Sequence, residues 1–490
     1  MNARIIINTI GRLVQIVGIL LIMPIIAGFY FSEKAVFSLV TVAGASLIIG
    51  TLLRVKKPEK TRIRAREGFV ITGMAWVILS IVGALPFVFA GAIPSFTDAV
   101  FETASGFTTT GASIITDLTA IPKCLLLWRS FTHWVGGMGI LTFMLIFIPS
   151  NADEMNIMRA ESPGPSVEKM VPKVRETALI LYSIYTVMTV FLITALFIAG
   201  MPLFDSICIA FGTAGTGGFG LRGDSIASYN TNCQTIITIG MIMFGVNFSV
   251  YYMLIKKKFY DVLHSEEVRW YLIIFFSAVV LVTIGTFKGT MTRLGWTEYP
   301  CYESLGRAFH QSAFQVASIM TTTGFATTDF NLWSNMPRAV LVLVMFVGAC
   351  AGSTGGGMKV SRCILYAKQI IQEIEKYIHP NAVTRVRLDG KVVGKDTLRT
   401  ANVFLMAYMM VFVLSFMIVL FDGYDLETSF TSIAATMNNI GPGLNVIGPC
   451  GSFAGFSILS KWVFIFDMIA GRLEIFPILI MLSPFTWRRK

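Results

Sequence analysis

FTTTGA, Phe107 to Ala112, is a polar run closed by a glycine, set between two segments apolar enough to cross a membrane. Alone it reads as a turn between helices. MTTTGFA, Met320 to Ala326, writes it again, and that calls for a search of the whole chain. Alignment on the closing glycine gives FTTTGAS at 107–113, AGTGGFG at 214–220, MTTTGFA at 320–326 and MNNIGPG at 437–443. The anchors Gly111, Gly218, Gly324 and Gly441 are separated by 107, 106 and 117 residues, which describes one unit repeated four times.

The solvent of this repeat is a bilayer. Over 490 residues the chain is 54% hydrophobic and 14% charged, with mean hydropathy +0.70, against about 25% charged residues in an ordinary soluble protein. The net charge of +11 sits mostly in short loops between apolar segments, where the positive-inside rule explains it more simply than a nucleic-acid partner. The seven cysteines are scattered and never spaced CxxC, and the four histidines are not paired on one helix, so no zinc site, disulfide framework or metalloenzyme is indicated. No nucleophile, base and orienting group can be assembled, so the chain does not read as an enzyme.

At about 20 apolar residues per crossing, ten spans are expected: 10–31, 36–53, 69–91, 125–148, 178–200, 234–255, 270–287, 338–358, 402–421 and 458–482. The basic runs 54–67, 159–175, 256–269, 359–399 and 487–490 then share one side, which predicts both termini in the cytoplasm. The opposite loops carry acids, among them Asp98, Glu102, Asp117, Asp205, Asp224, Asp329, Asp422, Asp425 and Glu427, read as solvated positions that also gather cations.

Each repeat has the same order: a span, a short semi-apolar segment, the glycine stretch, and another span. The short segments are 94–107, 202–215, 302–320 and 425–437. A helix of a dozen residues reaches only about halfway through a ~30 Å core, so each is expected to be a re-entrant half-helix ending near mid-membrane. Irregular backbone at that depth must be buried in protein or face water. Four half-helix C-termini, each worth about half a negative charge, would converge on one point and favour a cation there. Glycine lets carbonyls turn toward an axis, and threonine adds hydroxyls without a full charge. Such a ring of carbonyls can replace the hydration shell of an alkali ion. The fold class expected is an all-α polytopic membrane protein with four pseudo-repeats around one ion pore and two extra N-terminal helices. The units are 1–66, 67–175, 176–268, 269–399 and 400–490.

With TASGFTTTGAS (Thr103 to Ser113), TTTGF (Thr321 to Phe325) and NNIGPGLN (Asn438 to Asn445) in this order, the chain resembles the Trk, Ktr and HKT superfamily of potassium transporters. The two extra N-terminal spans and NNIGPG resemble its TrkH and TrkG branch. The resemblance implies a potassium-binding filter of Thr109, Thr110, Gly111; Thr216, Gly217, Gly218; Thr322, Thr323, Gly324; and Asn439, Ile440, Gly441. A serine at the first filter glycine goes with sodium preference in this superfamily, so Gly111 implies potassium. The fourth stretch departs most from TTTG, and strict four-fold symmetry is not expected.

Two further motifs belong to this resemblance. GACAGSTGGGMKVSR (Gly348 to Arg362) should loosen its helix, and Gly352, Ser353, Thr354, Gly355, Gly356 and Gly357 match the family's intramembrane gate loop. Close packing by small residues is the plain alternative. A phosphate loop would need GK[ST], whereas Met358 stands before Lys359. In DMIAGRLEIFP (Asp467 to Pro477), Arg472 matches the family's pore arginine; the alternative is an ion pair with Asp467 or Glu474. The resemblance implies potassium uptake as the conducting subunit of a Trk-type system in the bacterial cytoplasmic membrane. It also implies a homodimer and a cytoplasmic nucleotide-binding regulatory subunit of TrkA type. By the same resemblance K+ is the expected transported ion and no organic cofactor is expected; coupling to protons or sodium is the alternative mechanism.

Overall fold

A computed structural model of the chain describes residues 3–56, 64–139, 174–288, 302–382 and 384–488. It is helical almost throughout; among the described residues the strands are one two-residue hairpin, Arg387–Leu388 with Lys391–Val392. The N-terminal helices α1 (Ala3–Leu20), α2 (Ile22–Tyr30) and α3 (Val36–Arg54) stand beside the repeats. Small residues let α1 and α3 close up: a Cβ on Gly11 would lie 2.9 Å from the Gly50 carbonyl, and one on Gly18 would lie 3.0 Å from that of Ala43. Their outer faces show Ile19, Phe29, Phe37, Ile48 and Leu52, the apolar surface a lipid-facing helix needs.

Four helix, half-helix, stretch, helix units follow. The first has α4 (Ala65–Phe89), α5 (Phe96–Phe107) and α6 (Lys123–Gly137). The second has α7 (Val174–Ile198), α8 (Leu203–Ala214), α9 (Thr231–Phe244) and α10 (Phe248–Ile255), then a short connecting helix α11 (Phe259–His264). The third has α12 (Glu266–Thr286), α13 (Leu305–Met320), α14 (Asn335–Val347) and α15 (Val360–Ile378), and the fourth α16 (Lys395–Val419), α17 (Leu426–Met437), α18 (Ile458–Arg472) and α19 (Phe476–Leu482). Three half-helices have 12 residues, about 18 Å or little more than half of a ~30 Å core, and α13 has 16, about 24 Å, still short of a full crossing. Ser95 and Asp425 cap two of them by accepting the N–H of Asp98 and Thr428.

The ten expected spans are not ten straight helices. Six described helices are long and apolar enough to cross, and a seventh crossing is α9 with α10, bent by 90° at Gly245 to Asn247. The expected span 338–358 stops at Val347, because Gly348 (φ 72°), Gly352 (72°), Gly357 (75°) and Lys359 (76°) take left-handed backbone that no α-helix holds. The span 458–482 breaks after Arg472, where Glu474 (φ 55°) and Ile475 (67°) do the same. The expected span 125–148 is helical to Gly137, and its end, with most of the basic run 159–175, lies outside the described residues.

Candidate functional site

Every half-helix ends in the same turn. In the first unit the Thr109 N–H donates to Gly106 O (3.1 Å) and the Thr110 N–H to Ser105 O (2.9 Å). The pair recurs as Thr216 to Thr213 with Gly217 to Gly212, Thr322 to Ile319 with Thr323 to Ser318, and Asn439 to Thr436 with Ile440 to Ala435. This is the Schellman stop, which needs one left-handed residue. Here that residue is Thr109 (φ 56°), Thr216 (52°), Thr322 (58°) or Asn439 (55°) rather than glycine. Left-handed backbone costs a side-chain-bearing residue about 1–2 kcal/mol, so four such positions in register mark a conformation the surroundings impose.

Two residues on, the anchor glycines are also left-handed: Gly111 (φ 82°), Gly218 (76°), Gly324 (87°) and Gly441 (95°). A Cβ on Gly111 would strike the carbonyl oxygen of Gly217; on Gly218, that of Thr323; on Gly324, that of Ile440; and on Gly441, that of Thr110. Each stretch therefore lies against the next in chain order, and the fourth closes on the first. The ring places the carbonyl before each anchor at the joint between neighbours. On one side all four anchors line a single cavity with Arg129, Arg222 and Cys450. Asp425 holds the outer end of the fourth unit: it accepts from Thr428 Oγ1 (2.5 Å), Thr428 N (3.0 Å) and Asn445 Nδ2 (2.9 Å), bonds that keep its carboxyl below the usual range.

Side chains break the symmetry that the backbone keeps. Thr108 and Thr110 share a hydroxyl bond of 2.8 Å, and Thr321 and Thr323 one of 2.7 Å. The second stretch has glycines at those places, Gly215 and Gly217, and the fourth has Asn438 and Ile440. Asn439 instead spans units, donating to Thr110 Oγ1 (2.9 Å) and to Met468 O (2.8 Å).

The glycine-rich segment lies against the other side of the ring. Gly356 N donates to Thr322 Oγ1 (2.6 Å), and a Cβ on Gly356 would lie 2.5 Å from the Asn438 carbonyl, so the segment packs under stretches three and four together. Its far edge docks into the elbow of the bent crossing. Cys350 N donates to Gly245 O (3.0 Å), Thr354 Oγ1 to Phe244 O (3.2 Å), Phe248 N to Gly352 O (3.1 Å), and Glu267 Oε1 accepts from Ala351 N (2.7 Å). Lys359 Nζ donates to Gly355 O and straps the segment to itself. Arg472 completes the closure, donating to Thr354 O (2.7 Å), Gly136 O (2.6 Å) and Gly137 O (2.7 Å). One guanidinium thus joins the fourth unit, the loop of the third and the end of α6 in the first. Asp467 is bonded to Ser415 (2.8 Å), and Glu474 pairs with Arg362.

Every site residue expected from the sequence falls in the ring or in the segment and arginine behind it. Glu102 is not a solvated loop acid: it is 1% exposed on α5 and paired with Arg129. Sequence reasoning passed over Glu267, Gly245, Lys359 and the paired Gly136 and Gly137. The last two carried a signal, since side-by-side glycines inside an apolar span suggest close approach; a Cβ on Gly136 would meet the Phe107 carbonyl.

Half-helices whose C-termini surround a closed carbonyl ring, crossed by a loop and one arginine, define a membrane protein with a cation pathway through a single chain. The family model TrkH, described as a cation transport protein, matches residues 38–488. The chain belongs to this family. It is 35% identical over 494 residues, covering 100% of both chains, to the Trk system potassium uptake protein TrkH of Escherichia coli K12. It is 30% identical to the TrkG protein of the same organism, over 99% of each. The crystal structure of the potassium transporter TrkH from Vibrio parahaemolyticus matches with a TM-score of 0.88 at 31% identity, covering 100% of both chains.

Proposed function

We propose that this chain is the ion-conducting subunit of a Trk-type potassium uptake system. In it Thr109, Thr110, Gly111, Thr216, Gly217, Gly218, Thr322, Thr323, Gly324, Asn439, Ile440 and Gly441 form the filter. The observation that carries this is the closed ring: four identical helix stops deliver four carbonyls to the joints between anchor glycines. Residues 352–357 and Arg472 act as the gate, a hydrogen-bonded plug with a positive charge beneath the filter. The repeat units are 67–175, 176–268, 269–399 and 400–490, after the N-terminal pair 1–66. The protein works as a homodimer in the bacterial cytoplasmic membrane, with both termini inside and a nucleotide-binding regulatory subunit of TrkA type on the cytoplasmic face.

The test is rubidium and sodium uptake into proteoliposomes, with and without imposed sodium and proton gradients, alongside Gly111→Ser. Rubidium entering down its own gradient is the expected result. Gly111→Ser should admit sodium, because its Cβ must displace the Gly217 carbonyl at the joint of stretches one and two. A Gly111→Ser protein that still excludes sodium would remove Gly111 from the filter, and rubidium uptake only under a second gradient would make the mechanism symport.

A further inference from the structure

The cavity side of the ring holds a buried charge pair that neither filter nor gate uses. Glu102 Oε1 accepts from Arg129 Nε (2.6 Å) and from Ser113 Oγ (2.9 Å), and Oε2 accepts from Ile114 N (3.0 Å). Arg129, 4% exposed on α6, also donates through Nη1 to Gly220 O (3.0 Å), and its guanidinium carbon lies 3.4 Å from the centre of the Phe219 ring. The His133 ring packs against Phe219 as well, at 4.1 Å between centres. Ser113 and Ile114 are the chain leaving stretch one just after Gly111, and Phe219 and Gly220 directly follow Gly218. The pair therefore holds the outgoing backbone of two neighbouring quarters of the ring at one fixed separation.

The repeat makes this position informative. Nine residues before each anchor glycine stand Glu102, Ile209, Gln315 and Ser432. Only the first is charged. Gln315 meets its own exit through Thr327 Oγ1 (3.4 Å), a link within one unit, whereas Glu102 reaches the next unit through Arg129. A buried ion pair is tolerated when its geometry and remaining hydrogen bonds are satisfied, as these are. Being neutral as a unit, it adds little net field at a cavity that cations must cross.

We infer that the Glu102–Arg129 pair is a positioning device that fixes the spacing of the carbonyls in stretches one and two and thereby sets discrimination between potassium and smaller cations. It rests on the filter assignment proposed above. Arg129 serves because a planar guanidinium can bond a carboxylate, bond a carbonyl and lie on an aromatic face at once; lysine keeps the charge and cannot do all three.

The experiment is the ratio of potassium to sodium uptake in proteoliposomes holding purified full-length protein, wild type against Arg129→Lys. The expected result is a ratio lowered by about fivefold or more, the factor equivalent to one hydrogen bond. A wild-type ratio in folded Arg129→Lys protein would overturn the inference. If Arg129→Lys does not fold, Ser113→Ala removes the hydroxyl that donates to Glu102 and accepts from Ile115 N (3.1 Å) at the same exit; a lowered ratio there supports the positioning role, and an unchanged one overturns it. A wild-type protein with no preference for potassium would instead overturn the filter assignment.

Discussion

Arg472→Ala offers the most direct way to ask whether the glycine-rich segment closes the pathway. Arg472 makes three hydrogen bonds of 2.6–2.7 Å to carbonyl oxygens, one on the segment and two at the end of α6. Bonds from a charged donor contribute about 1.5–3 kcal/mol each. Of these three, only the bond to Thr354 O must break for the segment to leave while α6 and α18 stay in place. Its loss should shift the closed-to-open balance by roughly ten- to a hundredfold, taking about 1.4 kcal/mol per decade. A second effect has the same sign: a cation passing within about 4 Å of a fixed positive charge meets a barrier of about 4 kcal/mol at an effective dielectric near 20. Rubidium uptake into proteoliposomes should therefore rise at least about tenfold in Arg472→Ala. Arg472→Lys separates the two contributions, since it keeps the charge but cannot span the same three carbonyls. Uptake equal to wild type in Arg472→Ala, at matched yield and monodispersity, would refute the closure.

Two other perturbations probe the ring and its outer support. Asn439→Ala removes bonds to Thr110 Oγ1 and Met468 O and puts alanine into left-handed backbone, which together should cost about 2–4 kcal/mol and lower the melting temperature by several degrees; an unchanged melt would mean the fourth joint is not held by that side chain. Asp425→Ala should lower the melting temperature at neutral pH. Because the folded-state carboxyl is held below its usual value, its stabilising contribution is present above the ordinary carboxylate range and fades as pH falls below about 4. The gap between wild type and variant should narrow there in a pH series of melts, and a constant gap would show that Thr428 and Asn445 do not bind the ionised form.

The ring was legible in the sequence because it is written four times. One TTTG carries little, but Gly111, Gly218, Gly324 and Gly441 at near-constant spacing fix both the existence and the place of the half-helices. MNNIGPG was harder, since it shares little with FTTTGAS beyond the glycine, yet Asn439 adopts the same left-handed torsion as Thr109. The torsion is imposed by the helix stop, and several residue types can accept it. What periodicity could not show was where apolar runs stop being helices. Residues 338–358 and 458–482 are apolar enough on average to be taken for spans despite Arg338, Lys461, Asp467, Arg472 and Glu474, and hydropathy is blind to torsions at Gly348, Glu474 and Ile475. Glu102 was misplaced for a related reason: charge suggests solvent until a partner is known, and Arg129 lies on another helix.

The joint between the fourth and first stretches has a consequence for how the protein is made. Thr110 meets Asn439 across 329 residues of chain, so during synthesis the first three quarters enter the bilayer before the residue that closes the circle leaves the ribosome. Until then the Thr110 hydroxyl and the carbonyl facing Gly441 lack their final neighbours in a solvent that offers few substitutes. Nascent chains arrested before and after Gly441 should therefore differ sharply in protease resistance at the first stretch, and late termination should leave an open-sided intermediate for membrane quality control to remove.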